Sequence, residues 1–430
     1  MKILKYGQKG FDDLLGKIEA RAGLVPAKIE RQVRDIIAAV KKNGDKAVIG
    51  YTEKFDGVKL TPKKMRVTPA EIEKAYKVVK DEDIDALRLA ARRIADFHER
   101  QKPASWFVQE DSGAFLGQRV TPLGVVGIYV PGGKASYPSS VLMNAVPAKV
   151  AGVPKVVMCV PAPGGKVNPG VLVAADLAGV DEIYKVGGAQ AVAAMAYGTA
   201  TIPRVDKIVG PGNIYVATAK RLVFGSVDID MVAGPSEILV LADRTARPEF
   251  VAADMLSQAE HDEMASAVLV TDDAGLAVDV EKEITKQLAK LSRKDIAVKS
   301  LRDYGAIIIV GDMHEAADIA NRIAPEHLEL AVHRPFELLP LIKNAGAIFM
   351  GHYTPEAVGD YAAGPNHVLP TGGTARFFSP LSTEDFVKKS SLLSYTRGAL
   401  EEIAPTVIRL AKMEGLDAHA KMVEIRLSGK

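Results

Sequence analysis

Cysteine and tryptophan are each present only once in this chain of 430 residues. The single cysteine, Cys159, excludes a disulfide within the chain and any zinc site built on several thiolates. It lies in the run Val-Val-Met-Cys-Val, which is typical of a buried strand, and a buried apolar thiol is usually inert. We therefore predict that Cys159 is not a catalytic nucleophile.

Long apolar runs and an excess of charge are also missing. Lys and Arg number 55 and Asp and Glu 53, so the net charge of +2 gives no reason to expect nucleic acid or an anionic membrane as a partner. No run reaches the roughly 18 apolar residues of a membrane span. The N-terminus, MKILKYGQKGF, carries charges where a signal peptide has its apolar core. These features predict a cytoplasmic protein.

Helical periodicity dominates the first 100 or so residues. Thr68-Pro69-Ala70-Glu71 predicts a capping box with proline at the first helical position. An apolar stripe then continues to Ile94. The basic residues off this stripe are predicted to face solvent: Arg88, Arg92 and Arg93.

Short apolar runs alternate with helical patterns after Val120. The runs predicted as strands are 125–130, 155–160, 182–186, 207–209, 238–242, 267–271, 306–310 and 347–350. Strands that alternate with helices indicate βαβ units and a parallel sheet. From about Phe377 the strand signal fades, and the tail from Ser382 is predicted to be a helical arm.

Several well-known motifs are incomplete. The two Gly-Gly-Lys turns are not phosphate-binding loops, because Ile128 and Val160 stand where the first glycine is needed. The segment 210–215 begins like a dinucleotide fingerprint but ends in Tyr215 instead of glycine. No HExxH motif is present, which argues against a zincin-type protease.

Histidines supply one group of candidate functional residues. His98 and His314 lie in helical, charged surroundings and are predicted to be surface histidines. Gln258 and His261 are three residues apart on one predicted helix face, so an amide oxygen and an imidazole nitrogen can reach one ion. The pair taken alone also suits a capped helix end, so both interpretations stay open.

Glu326 and His327 form an adjacent acid–imidazole pair. They follow Ala324-Pro325, which predicts a turn or a helix start. The pair suits proton transfer because the two pKa values bracket neutrality. A carboxylate that stabilises a helix N-terminus is an equally good interpretation of Glu326.

Three further segments present polar side chains. The Gly- and Pro-rich loop 360–370 begins at Asp360 and contains His367. Loops of this kind often carry functional groups on a rigid scaffold. Ser236 stands at the entrance of a predicted strand, and Glu414 and His419 lie near the end of the chain.

Eight short motifs follow one another in order between about residues 33 and 426. They are 129–133, 186–190, 210–213, 233–237, 257–261, 325–327, 364–367 and 414–419. Together, in this order, they resemble the histidinol dehydrogenase family. None is decisive alone, but the ordered set makes chance implausible.

The resemblance implies an α/β fold with two similar, incomplete Rossmann-like domains with parallel sheets, plus N-terminal helices and a C-terminal helical arm. The domain boundaries expected from it are 1–120, 121–235 for NAD binding, 236–376 for most of the metal and catalytic site, and 377–430 for the arm. It also implies a homodimer in which the arm of one subunit completes the site of the other.

The same resemblance implies zinc-dependent oxidation of L-histidinol to L-histidine through L-histidinaldehyde, with two NAD, in the last steps of histidine biosynthesis. It implies one zinc ion per subunit, held by Gln258, His261, Asp360 and His419. Because zinc has no redox chemistry, it would hold and polarise the substrate while NAD takes the hydride.

Roles for the remaining candidate residues are implied as well. His327 would remove the hydroxyl proton, and Glu326 would activate a water for the second oxidation. The residues implied to contact the substrate are Ser236, Gln258, His261, His327, Asp360, His367, Glu414 and His419, with His367 at the product carboxyl group. Those implied to contact NAD are Tyr129, Gln190 and Asn213.

Three other functions stay open. A related dehydrogenase could act on another alcohol, because one scaffold can host several functions. A zinc hydrolase could use Glu326 as the base on metal-bound water, but it leaves Tyr129, Gln190 and Asn213 without a role. A non-catalytic binding protein would have no use for the combined set of ligands, acid and base.

Overall fold

A computed structural model describes residues 1–21, 25–132 and 137–429. Gly133, the last residue of the 129–133 motif, lies outside the described residues. The strands are β1 Lys2–Lys5, β2 Trp106–Gln109, β3 Phe115–Pro122, β4 Val125–Tyr129, β5 Lys155–Cys159, β6 Glu182–Tyr184, β7 Lys207–Val209, β8 Asp228–Ile229, β9 Glu237–Ala242, β10 Ser266–Thr271, β11 Ala306–Ile309, β12 His327–Ala331, β13 Ala347–Met350 and β14 Val387–Ser394.

Helices connect most of these strands. They are α1 Phe11–Glu19, α2 Ala27–Asn43, α3 Asp45–Asp56, α4 Pro62–Met65, α5 Pro69–Tyr76, α6 Asp81–Glu99, α7 Pro138–Val150, α8 Pro169–Leu177, α9 Gly188–Tyr197, α10 Ile214–Val223, α11 Pro248–Ala259, α12 Ala274–Leu288, α13 Lys294–Tyr304, α14 Met313–Ile323, α15 Pro335–Leu338, α16 Glu356–Tyr361, α17 Arg397–Met413 and α18 Asp417–Ser428. The capping box predicted at α5 is confirmed, because Thr68 and Glu71 exchange both capping hydrogen bonds.

The first parallel sheet has the strand order β6-β5-β4-β7-β8. The order reverses between β4 and β7, where Ile128 pairs with Val209. In open α/β sheets such a reversal opens a crevice at the carboxyl ends of the strands, where ligands bind. The residues expected to contact NAD lie along this carboxyl edge, after β4, β6 and β7.

The second parallel sheet has the order β1-β11-β10-β9-β12-β13 and reverses between β9 and β12. Strands β9 and β10 are buried along their whole length, because helices cover both faces of the sheet. Alternate residues enter different cores: Leu239 and Leu241 pack in the core that contains α1 and α14, while Ile238 and Val240 pack in the core that contains α11 and α12. The α/β fold with two parallel sheets is therefore confirmed.

The chain divides into two compact units. The first contains both parallel sheets and spans Met1–Gln101 and Gly124–Phe386, and the second joins Lys102–Leu123 to Val387–Lys430. The second unit consists of the antiparallel sheet β14-β3-β2 and the helices α17 and α18, which pack on each other. The domain boundaries expected after residues 120, 235 and 376 stay a prediction.

Six strands were not expected from the sequence. β1, β2 and β3 lie in or at the end of the N-terminal segment that was predicted to be helical, and β14 lies in the predicted helical arm. β8 has only two residues, and β12 replaces the turn or helix start predicted at Glu326-His327. Strand β1 has only four residues, and β14 is largely exposed, so neither carries a long apolar run. Strand β12 is buried, but His327 and Glu329 interrupt its apolar pattern, so the sequence does not indicate a buried strand there.

Other expectations can be compared directly with the structure. Cys159 is fully buried and burial raises the pKa of its thiol to about 12, which agrees with an inert residue. The basic residues Arg88, Arg92 and Arg93 are exposed, as is His314.

The surface prediction for His98 is wrong, because this residue is fully buried beneath the loop that carries His367. Within the described ranges, no helix is both long enough and apolar enough to cross a membrane.

Candidate active site

The candidate site lies at the amino edge of the second sheet, next to the reversal in strand order. β9 begins at Glu237 and β12 begins at His327, so the two strands present these residues side by side. Helix α11 connects β9 to β10 and runs opposite to them, so its C-terminal end returns to this edge with Gln258. Helix α16 follows β13, the last strand of the sheet in the chain, and carries Asp360.

His327 is buried, and one of its ring nitrogens has no hydrogen-bond partner. Nδ1 lies 3.0 Å from the carbonyl oxygen of Glu237, which can only accept, so Nδ1 carries the proton. Nε2 is then a free acceptor, 3.6 Å from Oε1 of Glu356 and 4.0 Å from Oδ1 of Asp360. Burial lowers the pKa of His327, which keeps the ring neutral and able to take a proton or bind a metal.

Glu326 is buried beside this imidazole. Its Oε2 accepts a hydrogen bond from the backbone N–H of Glu237 at 3.0 Å and lies 3.8 Å from Nδ1 of His327. Burial raises the pKa of Glu326 well above its usual range, and the charges of Glu237, Glu356 and Asp360 add to the effect. A carboxyl group with a raised pKa is suited to proton transfer near neutral pH. It does not cap a helix, so that alternative for Glu326 is wrong.

Glu356 and Asp360 form a carboxylate pair one turn apart on α16. Burial first, and then the charge of Asp254, raises the pKa of Glu356 to about 7. Burial and the charge of Glu356 raise the pKa of Asp360 to about 6. Glu356 was missed in the sequence, although its spacing of four residues from Asp360 places both carboxylates on one helix face.

Gln258 is fully buried among these polar groups. With its amide nitrogen toward Glu356, it donates to Oε1 at 2.9 Å and Oε2 at 3.2 Å, while its oxygen accepts from the backbone N–H of Glu237 at 2.9 Å. His261 follows two residues after the end of α11, and its backbone N–H donates to the carbonyl of Gln258. Burial and the nearby charge of His327 lower the pKa of His261. His261 is nevertheless exposed to solvent, so its assignment as a metal ligand stays a prediction.

The loop after α16 places His367 next to the same residues. Its Nδ1 lies 3.0 Å from the carbonyl oxygen of Asp360, and burial lowers its pKa to about 4. Asn366 anchors the loop by donating to the carbonyl of Met143 in α7 at 2.6 Å. Ser236 is half-buried and directly precedes β9.

The chemistry of these side chains fits a divalent metal ion. Within the described ranges, His327, Glu356 and Asp360 are the group whose ligand atoms all lie within 4.8 Å of one another. Nitrogen and oxygen donors of this kind suit zinc and also manganese or cobalt. Asp360 is shared with the ligand set expected from the sequence, and Gln258 contacts the other carboxylate of the group.

Two residues of the expected site lie in the second unit. Glu414 ends α17 as its C-cap, and His419 is in the first turn of α18. Both side chains are exposed to solvent. Their assignment to the metal and the substrate therefore stays a prediction that depends on how the arm is used.

The residues expected to contact NAD border the reversal point of the first sheet. Tyr129 ends β4, and its hydroxyl accepts from the backbone N–H of Gly188 at 3.1 Å. Gln190 is buried in the first turn of α9, and its Oε1 has no hydrogen-bond partner. Asn213 caps α10 by accepting from Tyr215 and Val216. The unpaired amide oxygen of Gln190 can accept a hydrogen bond from a ligand hydroxyl or amide, and the N-termini of α9 and α10 favour negative charge, which together fit a dinucleotide.

A buried ion pair supports the loop that follows β7. Lys220 forms an ion pair with Asp230. Both side chains also bind Gly210: Lys220 donates to its carbonyl at 2.9 Å, and Asp230 accepts from its N–H at 2.7 Å. Gly210 has a φ of +109°, and a Cβ there would collide with the carbonyl oxygen of Tyr129. The glycine is therefore required for the close approach of this loop to β4.

The two carboxylates on α16 predict a stability that depends on pH. Their pKa values are raised in the folded state, so folding without metal takes up protons, and this favourable contribution is lost as the pH rises through about 6 and 7. We expect chelator-treated protein to lose roughly 4 to 6 kcal/mol of unfolding free energy between about pH 4 and pH 8, relative to a Glu356→Gln/Asp360→Asn variant. Urea unfolding of both proteins across this range measures it, and parallel pH curves would contradict it.

Comparisons with known proteins identify the family to which this chain belongs. The model of the histidinol dehydrogenase family matches residues 19–427. The chain belongs to the histidinol dehydrogenase family. A histidinol dehydrogenase of Syntrophotalea carbinolica is 58% identical over 427 residues, which are 99% of this chain and 99% of the relative. One from Geobacter sulfurreducens is 59% identical over 428 residues, with 99% and 100% of the two chains covered.

A solved structure supports the same family. The crystal structure of histidinol dehydrogenase from Elizabethkingia anophelis has a TM-score of 0.94 and 39% sequence identity, and the match covers 99% of this chain and 98% of that one. The α/β fold with Rossmann-like sheets is therefore shared with this family. The chain is an oxidoreductase that acts on a small molecule.

Proposed function

We propose that this protein oxidises L-histidinol to L-histidine through L-histidinaldehyde, with zinc and two NAD, as the last steps of histidine biosynthesis in the cytoplasm. The observation that carries the proposal is the buried Glu326–His327 pair, because it offers a base for each oxidation beside a group of metal-binding side chains. The family membership of the chain supports the same substrate.

Zinc is proposed to be held by Gln258, His261 and Asp360, with His419 supplied by the arm of a partner subunit. When bound, the metal would hold and polarise the substrate through its imidazole and amino nitrogens. Glu356 faces Gln258 and His327 and would balance the charge of the ion. This ligand set leaves Nε2 of His327 free for proton transfer.

In the first oxidation, we assign His327 as the base. Nε2 of His327 takes the hydroxyl proton of the alcohol. Bound NAD would supply the acceptor for the hydride that leaves the carbinol carbon, so that the alcohol becomes an aldehyde. The carbonyl of Glu237 holds the Nδ1 proton at 3.0 Å, so the ring keeps the tautomer that the step needs. Ser236, His367 and Glu414 are proposed to orient the substrate.

In the second oxidation, Glu326 is the base. Its carboxylate removes a proton from a water molecule as the water oxygen adds to the aldehyde carbon. A second bound NAD would supply the acceptor for the hydride of the resulting hydrate, whose oxidation gives the carboxylic acid. Each NAD is proposed to bind at the carboxyl edge of the first sheet, against Tyr129, Gln190 and Asn213. The thiol of Cys159 is buried with a raised pKa, so this route without a cysteine nucleophile agrees with its position.

A homodimer is part of the proposal. The second unit exposes apolar side chains that a partner subunit would cover, and consecutive residues of β2 illustrate this: Trp106, Phe107 and Val108 are each more than half exposed, at 53%, 51% and 54%. Contiguous exposed apolar surface is typical of protein interfaces. Exchange of the arm would bring Glu414 and His419 to the site of the partner.

The assay that tests the proposal counts NADH formed per L-histidinol consumed, with and without chelator. We expect two NADH per substrate, loss of activity on chelation, and recovery with zinc. If one NADH forms per substrate and aldehyde accumulates, Glu326 is not the base of a second oxidation. If metal-loaded protein forms no NADH, the protein is instead a related dehydrogenase with another alcohol substrate. The zinc content of a His327→Ala variant distinguishes a role of His327 as a base from a role as a metal ligand. Loss of a base alone leaves the zinc bound, whereas loss of a ligand lowers the zinc content.

A further inference from the structure

A buried ion pair lies beside the candidate site and belongs to none of the roles assigned above. Arg21 follows α1, and its guanidinium donates to Oε1 of Glu237 at 2.6 Å. The side chains of Arg21 and Glu237 are only 2% and 5% exposed. Arg21 uses its other nitrogens as well, donating to the carbonyl of Met264 at 2.6 Å and to that of Ile18 at 3.0 Å.

The backbone of Glu237 contacts both proposed bases. Its N–H donates to Oε2 of Glu326 at 3.0 Å, and its carbonyl oxygen accepts from Nδ1 of His327 at 3.0 Å. The first contact fixes the carboxylate of Glu326, and the second fixes the tautomer and the orientation of the imidazole. One peptide segment at the start of β9 thus sets the positions of both groups.

Glu237 needs an anchor because it is the first residue of β9. The preceding segment 232–236 forms no regular structure, and on that side the sheet contact is the backbone hydrogen bond from the N–H of Ser266 to the carbonyl of Ser236. Its carboxylate has a single salt-bridge partner within the described ranges, and that partner is Arg21. A buried carboxylate without its cation would turn toward water or draw water in, and would move the backbone that carries the two contacts.

Arg21 is itself held from three sides. The guanidinium lies over the ring of Tyr304, with 5.3 Å between Cζ and the ring centroid. The carbonyls of Ile18 and Met264 join α1 to the segment before β10. These contacts define the plane of the guanidinium and therefore the position of the Glu237 carboxylate.

We infer that Arg21 is a positioning residue for the Glu326–His327 pair and acts through Glu237. The inference deepens the proposed function and rests on it. It gives a role in the reaction to a residue of the N-terminal segment, outside every motif that the sequence analysis used. Arg21 does not contact the substrate, so its removal should slow the chemical steps and leave substrate binding largely unchanged.

The test compares Arg21→Met with wild-type, zinc-loaded protein. We expect kcat for histidinol oxidation to fall roughly 10- to 100-fold, because small displacements of a reacting group have effects of this size. KM for histidinol and for NAD should stay within about twofold, since no contact with either ligand is lost. Arg21→Lys, which retains the positive charge, should recover part of kcat.

Arg322→Met is the matched control. Arg322 also pairs with α1, through Asp12 and Glu19, but it is 42% exposed and has no contact with Glu237. We expect this variant to keep the kcat of the wild type, even where its unfolding midpoint is lowered. If Arg21→Met and Arg322→Met have equal kcat per folded protein, the inference is wrong and Arg21 only stabilises the fold.

A second variant keeps the test decisive if Arg21→Met does not fold. Arg21→Met/Glu237→Gln removes both charges and leaves no unpaired buried ion. It should fold and still have a lowered kcat, because the anchor is absent. A normal kcat in this double variant, or in Arg21→Met, would overturn the inference. Absence of NADH with the wild-type protein would instead overturn the proposed function.

Discussion

Replacing Glu326 with glutamine is expected to lower aldehyde oxidation by roughly 100- to 10,000-fold, the range in which a general base contributes. Alcohol oxidation should be affected far less, because His327 is the base for that step. The amide oxygen of glutamine can still accept from the N–H of Glu237, which contacts Oε2 at 3.0 Å in the wild type. The substitution therefore removes the base and retains most of the local geometry.

Single-turnover measurements with histidinol and with histidinaldehyde separate the two steps. The yield of NADH per histidinol should fall from two toward one, with aldehyde released. Glu337→Gln is a suitable control, because Glu337 is an exposed glutamate that pairs with Arg334 on the surface. An equal loss of both steps would show that Glu326 does not act as the base for aldehyde oxidation alone.

The pH dependence of the second step follows from the same residue. Burial raises the pKa of Glu326 well above its usual range, so its basic form disappears at a higher pH than that of an exposed carboxylate. Aldehyde oxidation by the wild type should therefore decline as the pH falls through this raised value. The decline should be absent from the residual activity of the Glu326→Gln protein.

His419→Ala is expected to have the second large effect, a loss of activity of at least about 100-fold from a weakened metal site. His419 is exposed in the second unit, and the proposed function assigns it to the site of a partner subunit. The zinc content of the variant should fall together with its activity. A variant with full zinc and full activity would exclude His419 from the site.

Mixed dimers test the exchange of the arm directly. If Glu326 and His419 of different subunits build one site, a dimer of a Glu326→Gln subunit and a His419→Ala subunit has one intact site and one doubly altered site. Random mixing of the two variants should then restore about a quarter of wild-type activity. If each subunit builds its own site, no mixture contains an intact site and activity stays low. Trp106 and Phe107 of β2 are exposed in the second unit, which also contains the arm, and we propose that this unit carries the interface.

Much of the fold could be predicted because the sheets are buried on both faces. Burial of both faces demands continuous apolar residues, and the runs at 238–242 and 267–271 are visible in the sequence for that reason. Strand β12 was missed because its inward residues include His327 and Glu329. Their polar groups are buried only because other segments surround them, which periodicity does not reveal.

The amino-acid sequence by itself determined the family, the parallel sheets and most of the residues that meet at the amino edge of the second sheet. It did so because apolar patterning and ordered motifs are local properties of the chain. The tertiary structure alone decided that His98 is buried, that Glu356 joins Asp360 and His327, and that Arg21 reaches Glu237. The contact of Glu356 with His327 and that of Arg21 with Glu237 join different elements, the latter 216 positions apart in the chain, so they depend on how the elements pack.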